Sequence, residues 1–239
     1  MLLFILCVPC AHGEKLDSGF QPDETVTYRI EKMKVKAGKA TLQVQERTKL
    51  DGRDVCLIVF RADGFNFLDE EVIYADPVTF HPILIKRDLN IFGRKEKITE
   101  EYLAEGKVKI TKHVGDKTLV ETLNPGGRPD NIYSFILRTR RQGKFELGEE
   151  LNLHLPTSEV KVVFKKKMNL KIFGKDYEAL YMESRPGKYK IWFDASPFKL
   201  PLKIIGAMGI ADTTMVMTDY KQGHQSPVTS HQSPVTSHQ

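Results

Sequence analysis

From Glu24 onward, apolar and polar residues alternate with a period of two. Val26, Tyr28 and Ile30 alternate with Thr25, Thr27 and Arg29, and Ala40, Leu42 and Val44 alternate with Thr41, Gln43 and Gln45. The pattern returns at Val108 and Ile110, at Leu151, Leu153 and Leu155, and at Met168, Leu170 and Ile172. One dry face and one wet face mark antiparallel sheet, because strands of a buried parallel sheet read as continuous apolar runs. The runs are separated by Asp51-Gly52, Glu105-Gly106, Gly115-Asp116, Phe173-Gly174 and Pro186-Gly187. Glycine supplies the positive φ of tight hairpins, so roughly a dozen strands in a meander are predicted. The stretch from Lys188 to Ile204 holds the lone tryptophan: Tyr189, Ile191 and Phe193 alternate with Lys190, Trp192 and Asp194. After a break at Ser196-Pro197, Leu200, Leu202 and Ile204 resume the period, which predicts two strands at the centre of the sheet joined by a corner.

One segment breaks this rhythm. After Asn124-Pro-Gly-Gly-Arg-Pro129, Asp130 is placed as an N-cap and Ile132, Phe135 and Ile136 share a helical face. Arg138, Arg140 and Arg141 fall in the last turn, where cations suit the helix dipole, and Gly143 can end the helix. The fold class is therefore all-β, a curved antiparallel sheet or open β-barrel with one amphipathic helix against it.

The two ends differ from the body. Residues 1–13 form a short apolar run ending in small residues, too short to span a bilayer, and predict a secretory signal and an exported, periplasmic protein. Residues 222–239 carry the repeat Gln-Ser-Pro-Val-Thr-Ser-His twice and cannot bury a core, so disorder is expected there. Between them, residues 21–221 are read as a single domain; 41% apolar residues in a 239-residue chain suffice for a core. The same surroundings fit cysteine use: Cys7 and Cys10 lie in the apolar start, and Cys56, inside Val55-Cys-Leu-Ile-Val-Phe60, is expected as a buried core residue.

Motifs of known chemistry are absent. The sequence has no His-Glu-x-x-His, no glycine-rich phosphate loop and no Gly-x-Ser-x-Gly elbow, and no cofactor is implied. His81, His113 and His154 are separate in sequence, and His154, flanked by Leu153 and Leu155, reads as solvent-facing. Asp69-Glu70-Glu71 and Glu100-Glu101 read as solvated charges, since neighbours on a strand point to opposite faces. Asp194 is the carboxylate in an apolar setting, and the Ser196-Pro197 turn gives it a capping role. Leu89-Asn-Ile-Phe-Gly-Arg-Lys95 echoes Leu170-Lys-Ile-Phe-Gly-Lys-Asp176, which duplication or convergent hairpin chemistry would each explain. Charge is uneven. From Glu159 to Lys203 eleven Lys or Arg face five acids, more excess than the whole chain's +5. Lys161, Lys165, Lys167, Lys171, Lys190 and Lys203 could meet an anionic envelope surface or simply keep edge strands apart; nucleic acid is not expected as a partner.

Tyr28 followed by Lys36-Ala-Gly-Lys-Ala40, Tyr74-Ala-Asp-Pro-Val-Thr-Phe-His-Pro82, the helix Asp130–Arg138 with Gly148 downstream, and Ile191-Trp-Phe-Asp194 followed by Leu200-Pro-Leu202 stand in one order. In that order they resemble the exported bacterial domain of unknown function numbered 3108. The resemblance implies a periplasmic curved or barrel-like sheet with a helix, and no catalytic residues. The expected function is a non-enzymatic binder of a lipid or other amphipathic ligand in a half-open barrel. Tyr133, Ile136, Trp192 and Phe193 would line that site, with Arg138 and Asp194 as polar anchors; the same side chains would equally serve as core between helix and sheet. A scaffolding module using the basic face and a hydrolase of envelope polymers are the alternatives.

Overall fold

Among the described residues, the alternation of dry and wet positions becomes fourteen strands of one sheet. The computed structural model describes residues 23–142, 145–208 and 213–223. The first half of the chain supplies β1 (Glu24–Lys32), β2 (Val35–Leu50), β3 (Arg53–Gly64), β4 (Phe67–Ala75), β5 (Pro82–Ile91), β6 (Arg94–Tyr102), β7 (Val108–Val114) and β8 (Lys117–Leu123). The helix α1 (Ile132–Gln142) follows, and then β9 (Glu150–Leu155), β10 (Ser158–Ile172), β11 (Lys175–Arg185), β12 (Lys190–Asp194), β13 (Pro201–Ile205) and β14 (Thr213–Lys221).

Every pairing among the described residues is antiparallel, and the order is β8-β7-β6-β5-β4-β3-β2-β1-β14-β13-β12-β11-β10-β9. Two meanders, β1 to β8 and β9 to β14, are thus joined through the β1–β14 pair, and among the described residues β8 and β9 are the edges. The sheet does not close on itself. The expected aromatic strand and its neighbour are found as β12 and β13, but off centre; β1 and β2 hold the middle. Their central place follows from the join, which no local pattern announces. At the corner, Asp194 caps as expected: its Oδ1 accepts from Ser196 Oγ at 2.9 Å and from the Leu200 amide at 3.0 Å.

The helix connects β8 to β9 and lies within the concave side. Eight of its eleven residues are buried, Ile132, Ser134 and Thr139 included, so more than one amphipathic stripe is covered. Tyr133 stacks on Phe60 of β3 with ring centroids 4.1 Å apart, a pair worth about 1 kcal/mol beyond its area. The N-cap is Asn131 rather than Asp130. Asn131 Oδ1 accepts from the amides of Tyr133, at 2.8 Å, and Ser134. Asp130 is drawn away by the Arg138 guanidinium, which binds its Oδ2. The expected stop at Gly143 lies outside the described residues, as do the apolar start at 1–13 and the repeats from Gln225.

Arg140 departs furthest from expectation. Expected as a last-turn cation suiting the helix dipole, it lies in that turn but is buried, pairs with buried Glu24 at the start of β1, and donates to the Phe198 carbonyl at 3.1 and 3.0 Å. Arg141 reaches the Val78 carbonyl between β4 and β5. The helix is therefore pinned to the end of the sheet where β1 begins, the β4–β5 loop turns and the β12–β13 corner lies. Antiparallel alternation puts the β1–β2, β3–β4 and β5–β6 hairpin turns at the opposite end, which the helix leaves open.

Candidate functional site

At the helix end, the residues expected to line a ligand site are divided. Tyr133 and Ile136 are buried in the core with Phe193, which itself meets Phe145 at 5.4 Å. Trp192 points the other way, because Leu180 and Phe193 share the concave face while Tyr181 and Trp192 share the convex one. There Trp192 stacks on Tyr181 at 4.8 Å and carries Lys203 over its ring at 5.1 Å. Arg138 holds Asp130 and contacts His81, and Asp194 is occupied as the corner cap. The six therefore do not surround one space, and those under the helix are packed as core.

Two sequence readings of charge are overturned nearby. Asp69 and Glu71 are buried and Glu100 is half-buried; alternation turns all three to the concave face, opposite Glu70 and Glu101. Asp69 takes Arg87 in a two-pronged pair at 2.7 and 2.6 Å, Glu71 lies 3.8 Å from Arg87 and accepts from Asn131 Nδ2, and Glu100 accepts from Tyr102 at 2.9 Å. Burial pushes Glu71 up to about 7 against the pull of Arg87, and burial also raises Glu100. His154 is likewise mostly covered, its ring resting on Gly127, where a Cβ would come within 2.7 Å of it. His81 is held neutral, its pKa lowered to about 4 by burial and by Arg138. A groove of about 670 Å³ opens beside these residues, with Arg53, Asp76, Glu105 and Arg128 on its walls. Arg53 and Asp76 are paired at 3.0 Å across it. Among the described residues no group of three His, Cys, Asp or Glu side chains is placed to hold a metal.

The open end is different in chemistry. One cross-strand row on the concave face runs Ile30, Gly38, Gly64, Phe67 and Ile91, residue opposite residue through β1 to β5. The two glycines in the middle of that row make room for the Phe67 ring. A Cβ on Gly64 would lie 2.2 Å from Phe67 Cε1, and one on Gly38 would lie 3.0 Å from Phe67 Cζ, so the Phe67 ring lies over backbone that no side chain could share. Ile30 and Ile91 flank it. Above this floor rise Ala37 and the turn residues Phe65 and Phe92, with Lys32, Lys36 and Thr213 completing the wall. The space measures about 460 Å³, within the range of small-molecule sites.

Sequence reasoning missed this mouth because its parts lie in hairpin turns. Asn-Gly or Asp-Gly suits such turns, as Asp51-Gly52 shows with φ of 50° and 79°. Phe92-Gly93 has the same geometry with φ of 51° and 84°, and Met33-Lys34 has 51° and 67°. A bulky residue at positive φ is a conformational outlier. An apolar residue where turn chemistry asks for Asn was the available signal. The internal echo is real as geometry, since Phe173-Gly174 repeats the turn, but Phe173 lies over the Arg29 guanidinium at 4.1 Å whereas Phe92 is 78% exposed.

The six lysines of the basic stretch are divided by the pleat. Lys190 and Lys203 share the face of Trp192, and Lys167 and Lys171 share that of Leu180, since a bulge after Phe164 shifts the pairing. Lys161, Lys171 and Lys190 each have an acid within 3.6 Å, namely Glu150, Asp176 and Glu183.

No family model matches the chain, so the resemblance to the domain numbered 3108 is not supported, and no curated protein matches it. A solved structure does: a β-barrel-like protein of the domain of unknown function DUF1849 from Brucella abortus, with a TM-score of 0.51 and 8% identity over 86% of this chain and 99% of that one. At that identity the likeness concerns the fold, a barrel-like antiparallel sheet in a domain of unknown function.

Proposed function

We propose that this chain is an exported envelope protein that holds the apolar part of an amphipathic ligand in the open mouth of its curled sheet. The observation that carries the reading is the apolar space of about 460 Å³ walled by Ile30, Ala37, Phe65, Phe67, Ile91 and Phe92, with Lys32 and Lys36 at the rim. An acyl chain entering it exchanges water for aromatic and aliphatic contact, at about 0.8 kcal/mol per buried methylene. The lysines favour an acidic head group left at the water boundary. Export rests on the apolar first residues. The site thus moves from the space beneath the helix, where Tyr133 and Ile136 are core, to the opposite end of the same sheet.

Titration with the fluorescent fatty acid cis-parinarate tests the reading. Wild type is expected to bind saturably, and Ala37→Phe, which fills the space from one wall, is expected to lose about tenfold or more in affinity. Equal affinity in the two proteins, with Ala37→Phe folded by circular dichroism, would exclude the mouth as the site.

A further inference from the structure

Around the mouth, the hairpin turns project apolar side chains that the core does not cover. Met33, Val35, Phe65 and Phe92 are 81, 67, 86 and 78% exposed. They contrast with the exposed rings elsewhere: Phe173 lies against Arg29, and Phe198 lies 6.2 Å from Tyr220. Cations stand among the apolar tips. Lys32, Lys34 and Lys36 are exposed in the Met33 hairpin, and Arg94 and Lys95 stand beside Phe92. The nearby acids Glu31 and Asp63 are engaged by Arg29 and Arg61. The rim therefore presents apolar tips at several points within a collar of cations.

We infer that this rim docks on an anionic phospholipid bilayer, with Met33, Phe65 and Phe92 entering the interfacial zone and Lys32, Lys34, Lys36 and Lys95 facing the lipid head groups. Charge complementarity selects the partner: each lysine gains from the negative surface potential, and apolar side chains gain from the acyl boundary just beneath it. The backbone points the same way. Met33, Lys34 and Phe92 occupy positive-φ positions of tight turns that Asn or Gly would fill with less strain, so their identity serves something outside the folded chain. Docking depends on the tips and their charge, whether or not the mouth holds a ligand.

Vesicle co-sedimentation tests it, using phosphatidylcholine vesicles with and without phosphatidylglycerol, at low salt and at about 1 M salt, where the Debye length falls to about 3 Å. Wild type is expected to bind the anionic vesicles, and to bind them more weakly at high salt and on phosphatidylcholine alone. Met33→Asn with Lys34→Gly creates an Asn-Gly turn, touches no wall of the mouth and is expected to fold at least as well as wild type. That variant should lose about tenfold or more in vesicle affinity, while its parinarate binding stays unchanged. Phe92→Asn should lower vesicle binding further. Wild-type binding that is indifferent to phosphatidylglycerol, or tip variants that sediment like wild type, would overturn the inference. So would binding that survives the tip changes and disappears on Lys161→Glu with Lys171→Glu, which would place docking on the other arm.

Discussion

Replacing Arg140 by Met should destabilise the protein far more than its place in the last turn of a helix would indicate. The side chain is 1% exposed, pairs with a Glu24 carboxylate that is 2% exposed, and donates twice to the Phe198 carbonyl. Glu24 also accepts from Tyr220 at 3.2 Å. Met keeps most of the stem and removes the charge, so the cost is set by the carboxylate left buried beside it. Breaking a buried pair from one side costs about 3–5 kcal/mol. For a domain of this size each kcal/mol moves Tm by about 2–4 °C, which gives a fall of roughly 6–20 °C in a thermal melt. The double variant Arg140→Met with Glu24→Leu leaves no uncompensated charge and should recover most of the loss. A fall under about 2 °C for Arg140→Met, or a double variant as unstable as the sum of its singles, would refute the claim that this pair fastens the helix to β1 and the corner.

Three further outcomes follow from the same geometry. Gly64→Ala puts a methyl 2.2 Å from Phe67 Cε1 and 2.3 Å from the Ala37 carbonyl, so urea melts should show a loss of about 1–3 kcal/mol and parinarate binding should weaken; unchanged stability would mean that the glycine row is not the floor described. Glu71, surrounded by Arg87, Asp69, Glu100, Asn131 and Tyr133, has its folded pKa raised to about 7 from 4.5, so the folded state holds the proton more tightly than the unfolded chain. Its contribution is full below about 4.5 and is lost as pH rises through about 7, a change of up to about 3 kcal/mol that Glu71→Gln should remove; melts of that variant with the wild-type pH slope would contradict this. Trp192, on the convex face between Tyr181 and Lys203, should keep its emission maximum when a non-absorbing fatty acid saturates the protein, and a clear shift would bring the ligand to the helix end.

Much of the architecture was legible because a period of two is a direct readout of sheet with one dry face. Val26, Tyr28 and Ile30, or Ile191 and Phe193, declare their side without reference to the rest of the chain. The helix was legible for the same reason, from Ile132, Phe135 and Ile136 at one helical spacing. The β1–β14 join was not, since the partners lie at opposite ends of the chain and depend on both meanders curling. Burial of Asp69, Glu71 and Arg140 was hidden because each meets a partner distant in sequence: Arg87 and Glu24 pair with Asp69 and Arg140, and Asn131 donates a hydrogen bond to Glu71. The mouth was hidden differently. Phe65 and Phe92 sit in turns, and periodicity carries no information about a residue whose neighbours are water and another hairpin's tip.

A bromine-labelled medium-chain fatty acid, bound to the crystalline protein and located by its anomalous scattering, places the ligand directly. Binding in the open mouth predicts a peak over the Phe67 ring, between Ile30 and Ile91, with the carboxylate toward Lys32 or Lys36. A peak beneath the helix beside Tyr133 and Phe193, or in the groove between Arg53 and Arg128, would contradict it.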